Sequence, residues 1–347
     1  MKDIPYSTVE AQLQKLKNDG LIIENDNHAL DNLQLYGYSN LIKSYRDPYV
    51  IKDSSGHKTY RDGVTFDQIK SLYLLDKNLR NAVMASMLDL EEYIKEASAE
   101  IIARDFGTNP SDYLLFRNYR DRPTNYKFSL REILKNMNNS LASDKDPIRH
   151  YRIAHGIVPP WILFKNVYFS TIVNFIKLFK NKQKTDLAST LYTLSPNFSV
   201  EQAKKLMLDT LYICLEYRNL SAHGGRVYNY SPNSTCRAYP NSSGFNLLLQ
   251  ILKDLKYKSP YYYLHRVLTE EVNRHCSAYP QDVTYLGQVL NINIRPQTIV
   301  YISEKSKKIH LHAFCSGSQS LRPIEFNKNL LQKYVPCKRC GKNISAL

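Results

Sequence analysis

The sequence predicts a mainly α protein with a small, basic C-terminal appendage of α/β or β character, and three observations carry this. Ile69, Leu72, Tyr73, Leu79, Val83, Met87, Leu90 and Ile94 keep helical spacing without a break to about Arg104. A second long stripe, Ala203, Leu206, Met207, Thr210, Cys214 and Tyr217, starts at a Ser199–Gln202 capping box and stops at Gly224-Gly225. Beyond Gln281 the texture changes: Ile292, Ile294, Ile299, Val300, Tyr301 and Ile302 favour strands, and Ile309, Leu311 and Phe314 continue the alternation.

The remaining elements follow in order. A capping box at Ser7 and Glu10 opens a short helix that stops at Asn18-Asp19-Gly20. Leu21-Ile22-Ile23 is a brief extended run, and Asn27 to Leu35 reads as a second helix. Residues 46–63, with Asp47-Pro48 and Ser54-Ser55-Gly56, read as an irregular or hairpin insertion, after which Thr65 and Gln68 cap the long helix. Pro110 and Pro123 bracket a polar connector, Leu130 to Leu141 is helical, and His150 to Trp161 is a turn-rich lead-in to a helix from about Ile162 to Phe179. A loop rich in Asn, Ser, Pro and Tyr (228–244) leads to helical stretches at 245–255 and about 261–277. The expected domains are an N-terminal helical segment (1–60), a helical domain (61–280) and the basic module (281–347).

Composition bounds the function. A hydrophobic content of 43% over 347 residues supports a packed core and excludes a disordered chain. No apolar run has the 18 or more residues of a membrane span, and Met-Lys-Asp-Ile-Pro-Tyr is no signal peptide, so the expectation is a cytoplasmic protein with no membrane partner. The net charge of +15 favours a polyanion, and from Asn291 onward ten Lys and Arg face two Glu, a net +8 in the last sixth of the chain. Many of the 27 Tyr sit beside basic or Asn residues, as in Tyr228-Asn229-Tyr230 and Lys256-Tyr257-Lys258, where exposed rings can stack on unpaired bases.

Arg218-Asn219-Leu220-Ser221-Ala222-His223 ends the second stripe and places a cation, an amide and an imidazole within about one and a half helical turns. That set can clamp a phosphate and move a proton without a metal. Spacing alone does not select it: with 18 Arg and 9 His, chance supplies roughly 1.4 such Arg-to-His pairs, and Arg149 to His155 is a second. The setting singles out the first. Tyr217 belongs to the buried stripe, Arg218 borders it, and His223 lies at the helix end, where the dipole favours a cation. The bland alternative is an exposed Arg and a capping His.

Glu216 to Asn229 resembles the signature of the bacterial abortive-infection (Abi, AbiD/AbiF-like) family, a branch of the HEPN helical superfamily. Leu16 to Tyr45 is similar to that family's N-terminal region, Phe66 to Lys95 (with Leu72-Tyr73, Asp76 and Leu90-Glu91) to its central helix, and His150-Tyr151 with Pro160-Trp161 to its Pro-x-Trp segment. Gly37-Tyr38 departs from the paired aromatics of many members. The resemblance implies an all-helical HEPN endoribonuclease of phage defence, toxin-like, in which two motifs face each other. One motif per chain then implies a homodimer with Arg218, Asn219 and His223 contributed by each copy. It also implies RNA as substrate, and a guide or regulatory RNA as a further partner. Glu91 is a candidate for ordering Arg218, or else an i, i+4 partner of Lys95. The alternative function is a protein of the same fold that binds structured RNA without cutting it.

Six cysteines in a cytosolic chain do not suggest a disulfide framework. His312-x2-Cys315 and, 21 residues on, Cys337-x2-Cys340-Gly341 have the spacing of a zinc ribbon, two close pairs supplying a tetrahedral N1S3 set. His310 is an alternative imidazole, which strand alternation does not separate from His312. The zinc is expected to be structural, with no cofactor needed for catalysis. Lys307, Lys308, Lys338 and Arg339 around it, with Arg226 beside the Arg-His motif, are the expected RNA contacts.

Overall fold

The computed structural model describes residues 5–54, 56–121, 128–294, 299–311, 315, 321–341 and 344. It is mainly α. In chain order the elements are α1 (Val9–Asn18), α2 (Asp26–Tyr36), β1 (Val50–Lys52), β2 (Lys58–Tyr60), α3 (Phe66–Phe106), α4 (Pro110–Tyr113), α5 (Leu130–Leu141), α6 (Ile148–Ala154), α7 (Pro160–Leu163), α8 (Phe169–Lys177), α9 (Asn181–Leu191), α10 (Val200–Ala222), α11 (Gly244–Asp254), α12 (Ser259–Ala278), α13 (Val283–Leu290), β3 (Ile299–Ser303), β4 (Lys308–His310), β5 (Arg322–Glu325), α14 (Leu330–Lys333) and β6 (Val335–Pro336). No helix among the described residues is long and apolar enough to cross a membrane. Contacts divide the chain into two compact units, Met1–Asn78 with Leu268–Leu347, and Leu79–Val267. This grouping differs from the three sequence segments 1–60, 61–280 and 281–347.

In the first unit, α1 is capped by Thr8, not Ser7: the Thr8 hydroxyl accepts the Ala11 N–H at 3.2 Å. β1 and β2 form the antiparallel hairpin of the 46–63 insertion. At the start of α3 the Thr65 hydroxyl accepts the Gln68 N–H at 3.1 Å, but Gln68 does not complete a capping box. Its amide instead donates to Asp282 at 3.0 Å. Asp282 is 5% exposed and also accepts from Tyr49 Oη at 2.7 Å, and its Oδ2 lies 2.8 Å from Nε2 of His275, which is 1% exposed. Burial works to raise the Asp282 pKa, but hydrogen bonds from His275, Tyr49 and Gln68 outweigh it and hold the carboxyl below its usual range. An ionised Asp282 requires the proton on Nε2, which leaves Nδ1 facing Ser71 Oγ at 2.9 Å. The Ser71–His275–Asp282 order is that of a hydrolytic triad. Ser71, however, lies inside α3, where backbone N–H groups are committed to the helix and cannot form an oxyanion hole. The network is a buried staple between the hairpin, α3, α12 and the turn before α13.

The C-terminal sheet has the order β5-β3-β4-β6, antiparallel except for β4 and β6, with Ile302 opposite Ile309 and Lys308 opposite Val335. Its core is small: Val300, Ile302, Ile309, Leu330, Tyr334 and Ile344. The strand region begins later than the sequence suggests. Val283, Leu286 and Leu290 recur at helical spacing, α13 ends at Asn291 in the left-handed conformation (φ 54°), and Ile292 and Ile294 lie outside any strand. His312 and Phe314 lie outside the described residues.

In the second unit, α10 packs against α8, α9 and α11 and buries the whole expected stripe. Each fully buried Leu or Met there contributes about 1.5–3 kcal/mol. Ser199 and Gln202 form the capping box that the sequence suggests. Cys214 is a core residue whose thiol burial pushes up in pKa. The single helix expected over 162–179 is interrupted between α7 and α8. On an unbroken helix Phe169 would stand about 140° round from Phe164. The extended backbone at Val167 and Tyr168 lets both rings, and Phe175, be buried. The expected turn at 150–154 is the short helix α6, and α9 adds a helix not foreseen.

Candidate active site and metal cluster

The last turn and a half of α10 carries the motif. Tyr217 is fully buried, so Arg218, the next position round, stands at the border of the core face and is half-buried. Asn219 is exposed, and its carbonyl accepts the His223 N–H at 3.1 Å. His223 is the C-cap, one residue beyond the last helical residue, and is exposed. The helix end thus presents an imidazole to solvent at its C-cap and, five residues earlier, a half-buried guanidinium.

Two residues of α3 hold this helix end. Glu91 Oε2 lies 3.6 Å from Arg218 Nε, while Glu91 Oε1 accepts from Lys95 Nζ at 2.7 Å. Glu91 therefore lies against both of the partners that the sequence suggests. Among the described residues neither Glu91 Oε2 nor Arg218 Nε has a hydrogen-bond partner, so charge rather than a formed hydrogen bond links them. Arg218 Nη1 reaches Asn219 Oδ1 at 3.5 Å, the long limit of a hydrogen bond. Eleven residues before Glu91, about three turns along the same face of α3, Arg80 donates to the Gly224 carbonyl at 3.2 Å. Arg80 is a supporting residue that no motif announces; the only clue is its spacing from Glu91.

Gly224 ends the helix at φ +71°, and the Gly225 N–H donates to the Leu220 carbonyl at 2.9 Å. A Cβ on Gly225 would lie 2.2 Å from Leu220 Cδ1 and 3.1 Å from the Leu220 carbonyl oxygen. Gly225→Ala should therefore cost about 1–3 kcal/mol, because Leu220 must leave its rotamer and the turn must open. Chemical denaturation measures this, and an unchanged midpoint would show that the close approach does not matter.

Glu216 orders the following loop. Its carboxylate accepts from Tyr230 Oη at 2.7 Å and from the backbone N–H groups of Asn233 at 2.7 Å and Ser234 at 2.8 Å. Burial raises its pKa, but the hydrogen bonds from Ser234, Tyr230 and Asn233 win and hold it low. Val227 and Tyr228 are buried and Gly225 and Arg226 are half-buried, so the loop is packed over 225–228 and surfaces at Asn229. The rival pair is built differently. Arg149 is the second residue of the seven-residue α6 and His155 is its C-cap, both are exposed, and His155 packs its ring on Tyr151 and His150. No carboxylate is paired with Arg149 among the described ion pairs.

In the C-terminal sheet, His310, Cys315, Cys337 and Cys340 offer ligand atoms that all lie within 4.8 Å of one another. His310 ends β4, and Cys337 follows β6, with its N–H donating to the Ile309 carbonyl at 2.8 Å. The N–H groups of Cys340 and Arg339 aim at the Cys337 sulfur and lower its pKa to about 7. The set fits a soft, tetrahedral metal ion. Of the expected RNA contacts, Lys307, Lys308, Lys338 and Arg339 are exposed, with Lys307 paired to Glu304 at 3.0 Å and Arg339 reaching the Cys315 carbonyl at 3.4 Å.

A family model described as Abi-like protein matches residues 31–229, more than half of the chain. The match takes in most of α2, all of α3 and α10, and with them Arg80, Glu91, Arg218, Asn219 and His223. No curated protein and no solved structure matches the chain.

Proposed function

The chain belongs to the Abi-like protein family, and on that premise we propose that it is an endoribonuclease of phage defence, acting in the cytoplasm as a homodimer whose active site is composite. Membership associates the chain with abortive infection. The observation that carries the chemistry is the exposed His223 that caps α10, the helix whose last turns also carry an Arg218 held by Glu91. One His223 accepts the proton of a ribose 2′-OH as the oxygen attacks the adjacent phosphorus. The His223 of the second copy protonates the departing 5′-oxygen. Arg218 neutralises charge on the phosphoryl oxygens, and Asn219 orients the phosphate or the imidazole. The products are a 2′,3′-cyclic phosphate and a 5′-hydroxyl.

Each step uses only side-chain proton transfer and charge, so the scheme needs no catalytic metal. Glu91 is already committed to Arg218 and Lys95. A zinc ion in the C-terminal cluster is structural in this reading. Arg226, Lys307, Lys308, Lys338 and Arg339 supply sequence-independent phosphate contacts, so RNA affinity should fall with rising salt.

Mixing chains tests the composite site. Because one site takes its base from one copy and its acid from the other, an excess of His223→Ala chain mixed into the parent should lower the parent's cleavage well beyond dilution, and a parent whose activity is untouched by the mixture would count against a shared site. A light-scattering mass equal to one chain under conditions of full cleavage would reject the dimer. Glu91→Gln should lower kcat by about tenfold with little change in KM, since Arg218 loses the charge that orients it but RNA still meets the same surface. An unchanged kcat would leave Glu91 only its pairing with Lys95.

A further inference from the structure

The Cys/His cluster has the dimensions of a filled site. Bonds of about 2.3 Å to sulfur and about 2.0–2.1 Å to nitrogen, set at tetrahedral angles, place two sulfurs about 3.8 Å apart and a sulfur and a nitrogen about 3.6 Å apart. Cys315 Sγ and Cys337 Sγ are 3.8 Å apart, and Cys340 Sγ and His310 Nδ1 are 3.6 Å apart. A disulfide would need about 2.05 Å between two sulfurs and would leave the third thiol and the imidazole unexplained.

We propose that His310, Cys315, Cys337 and Cys340 form a structural zinc site that closes the C-terminal sheet, with His310 through Nδ1, not His312, as the fourth ligand. His310 is 2% exposed, and the register Tyr301–His310 fixes it at the end of β4. The Cys337–Cys340 turn is tight: the Gly341 N–H donates to the Cys337 carbonyl at 2.7 Å, and a Cβ on Gly341 would lie 2.6 Å from the Cys337 nitrogen. That glycine lets the chain fold back so that both sulfurs meet one point. A staple has a purpose here, because among the described residues six buried side chains, with Leu311, Ile324, Phe326 and Leu331 partly buried against them, form the core of the four-stranded sheet. With four protein ligands the ion has no open position and takes no part in catalysis.

The test uses the full chain purified without chelator, and no RNA, so its outcome is independent of the nuclease reading. Elemental analysis should find about one zinc per chain. His310→Ala and Cys340→Ser should each lower the zinc content by about tenfold or more, while His312→Ala keeps it. Loss of zinc in His312→Ala with retention in His310→Ala would overturn the ligand assignment. If the variants do not fold, the wild-type chain still decides: Co2+ exchanged into it should give the intense visible bands of tetrahedral coordination and thiolate charge transfer in the near ultraviolet. A wild-type chain free of zinc that also gives octahedral Co2+, or a Cys315–Cys337 disulfide by mass, would overturn the site.

Discussion

Under the proposed mechanism, His223→Ala should lower RNA cleavage by about 10²–10⁴-fold, the range that removal of a general acid or base produces. Its melting temperature stays within a degree or two of the parent, because the residue is exposed and its backbone N–H, which caps α10 through Asn219, is retained. In a symmetric composite site the substitution removes both the base and the acid, so the loss falls in kcat and RNA affinity changes little. His155→Ala is the internal control and should cleave as the parent does, since among the described residues no carboxylate pairs with Arg149. A His223→Ala chain that cuts RNA normally would end the assignment of the motif. One that binds RNA normally, alongside a parent that never cuts, would favour the RNA-holding protein of the same fold.

The second large effect concerns stability. Asp282→Ala should cost about 3–5 kcal/mol, because it leaves His275, Tyr49 and Gln68 with polar atoms facing a vacated buried carboxylate. The pH dependence follows from the direction of the shift. Asp282 is held below its ordinary range in the folded chain, so its contribution is full above about pH 4, the unfolded value, and is lost as pH falls through the folded value. Denaturation at pH 7 and pH 3 separates the two: the gap between parent and Asp282→Ala should narrow at the lower pH. A gap that widens on acidification would mean that the carboxylate is not the stabilising form.

The sequence displays those features whose cause is local. The α10 stripe, its Ser199 cap and its Gly224-Gly225 end are legible because helical period, hydroxyl capping and left-handed glycine act within a few residues. Cys337-x2-Cys340 is legible for the same reason. Long-range partners are not. Gln68 has the place of a capping residue, and only the fold sends its amide to Asp282, 214 positions away. Glu91 has an obvious neighbour in Lys95, which masks the pull of Arg218 from another helix. His310 and His312 have the same parity, so alternation does not separate them; only the fold brings His310 to the three thiols, while His312 lies outside the described residues. The break before Phe169 accompanies the burial of Phe164, Phe169 and Phe175 together and has no turn residue to mark it.

The most direct measurement is the chemistry of the ends that the purified chain leaves on RNA in the presence of a chelator of divalent ions. The proposed mechanism predicts continued cleavage, 2′,3′-cyclic phosphate at one end and 5′-hydroxyl at the other, both lost in His223→Ala. Ends bearing 5′-phosphate and 3′-hydroxyl, or cleavage that stops when Mg2+ is withdrawn, would contradict it.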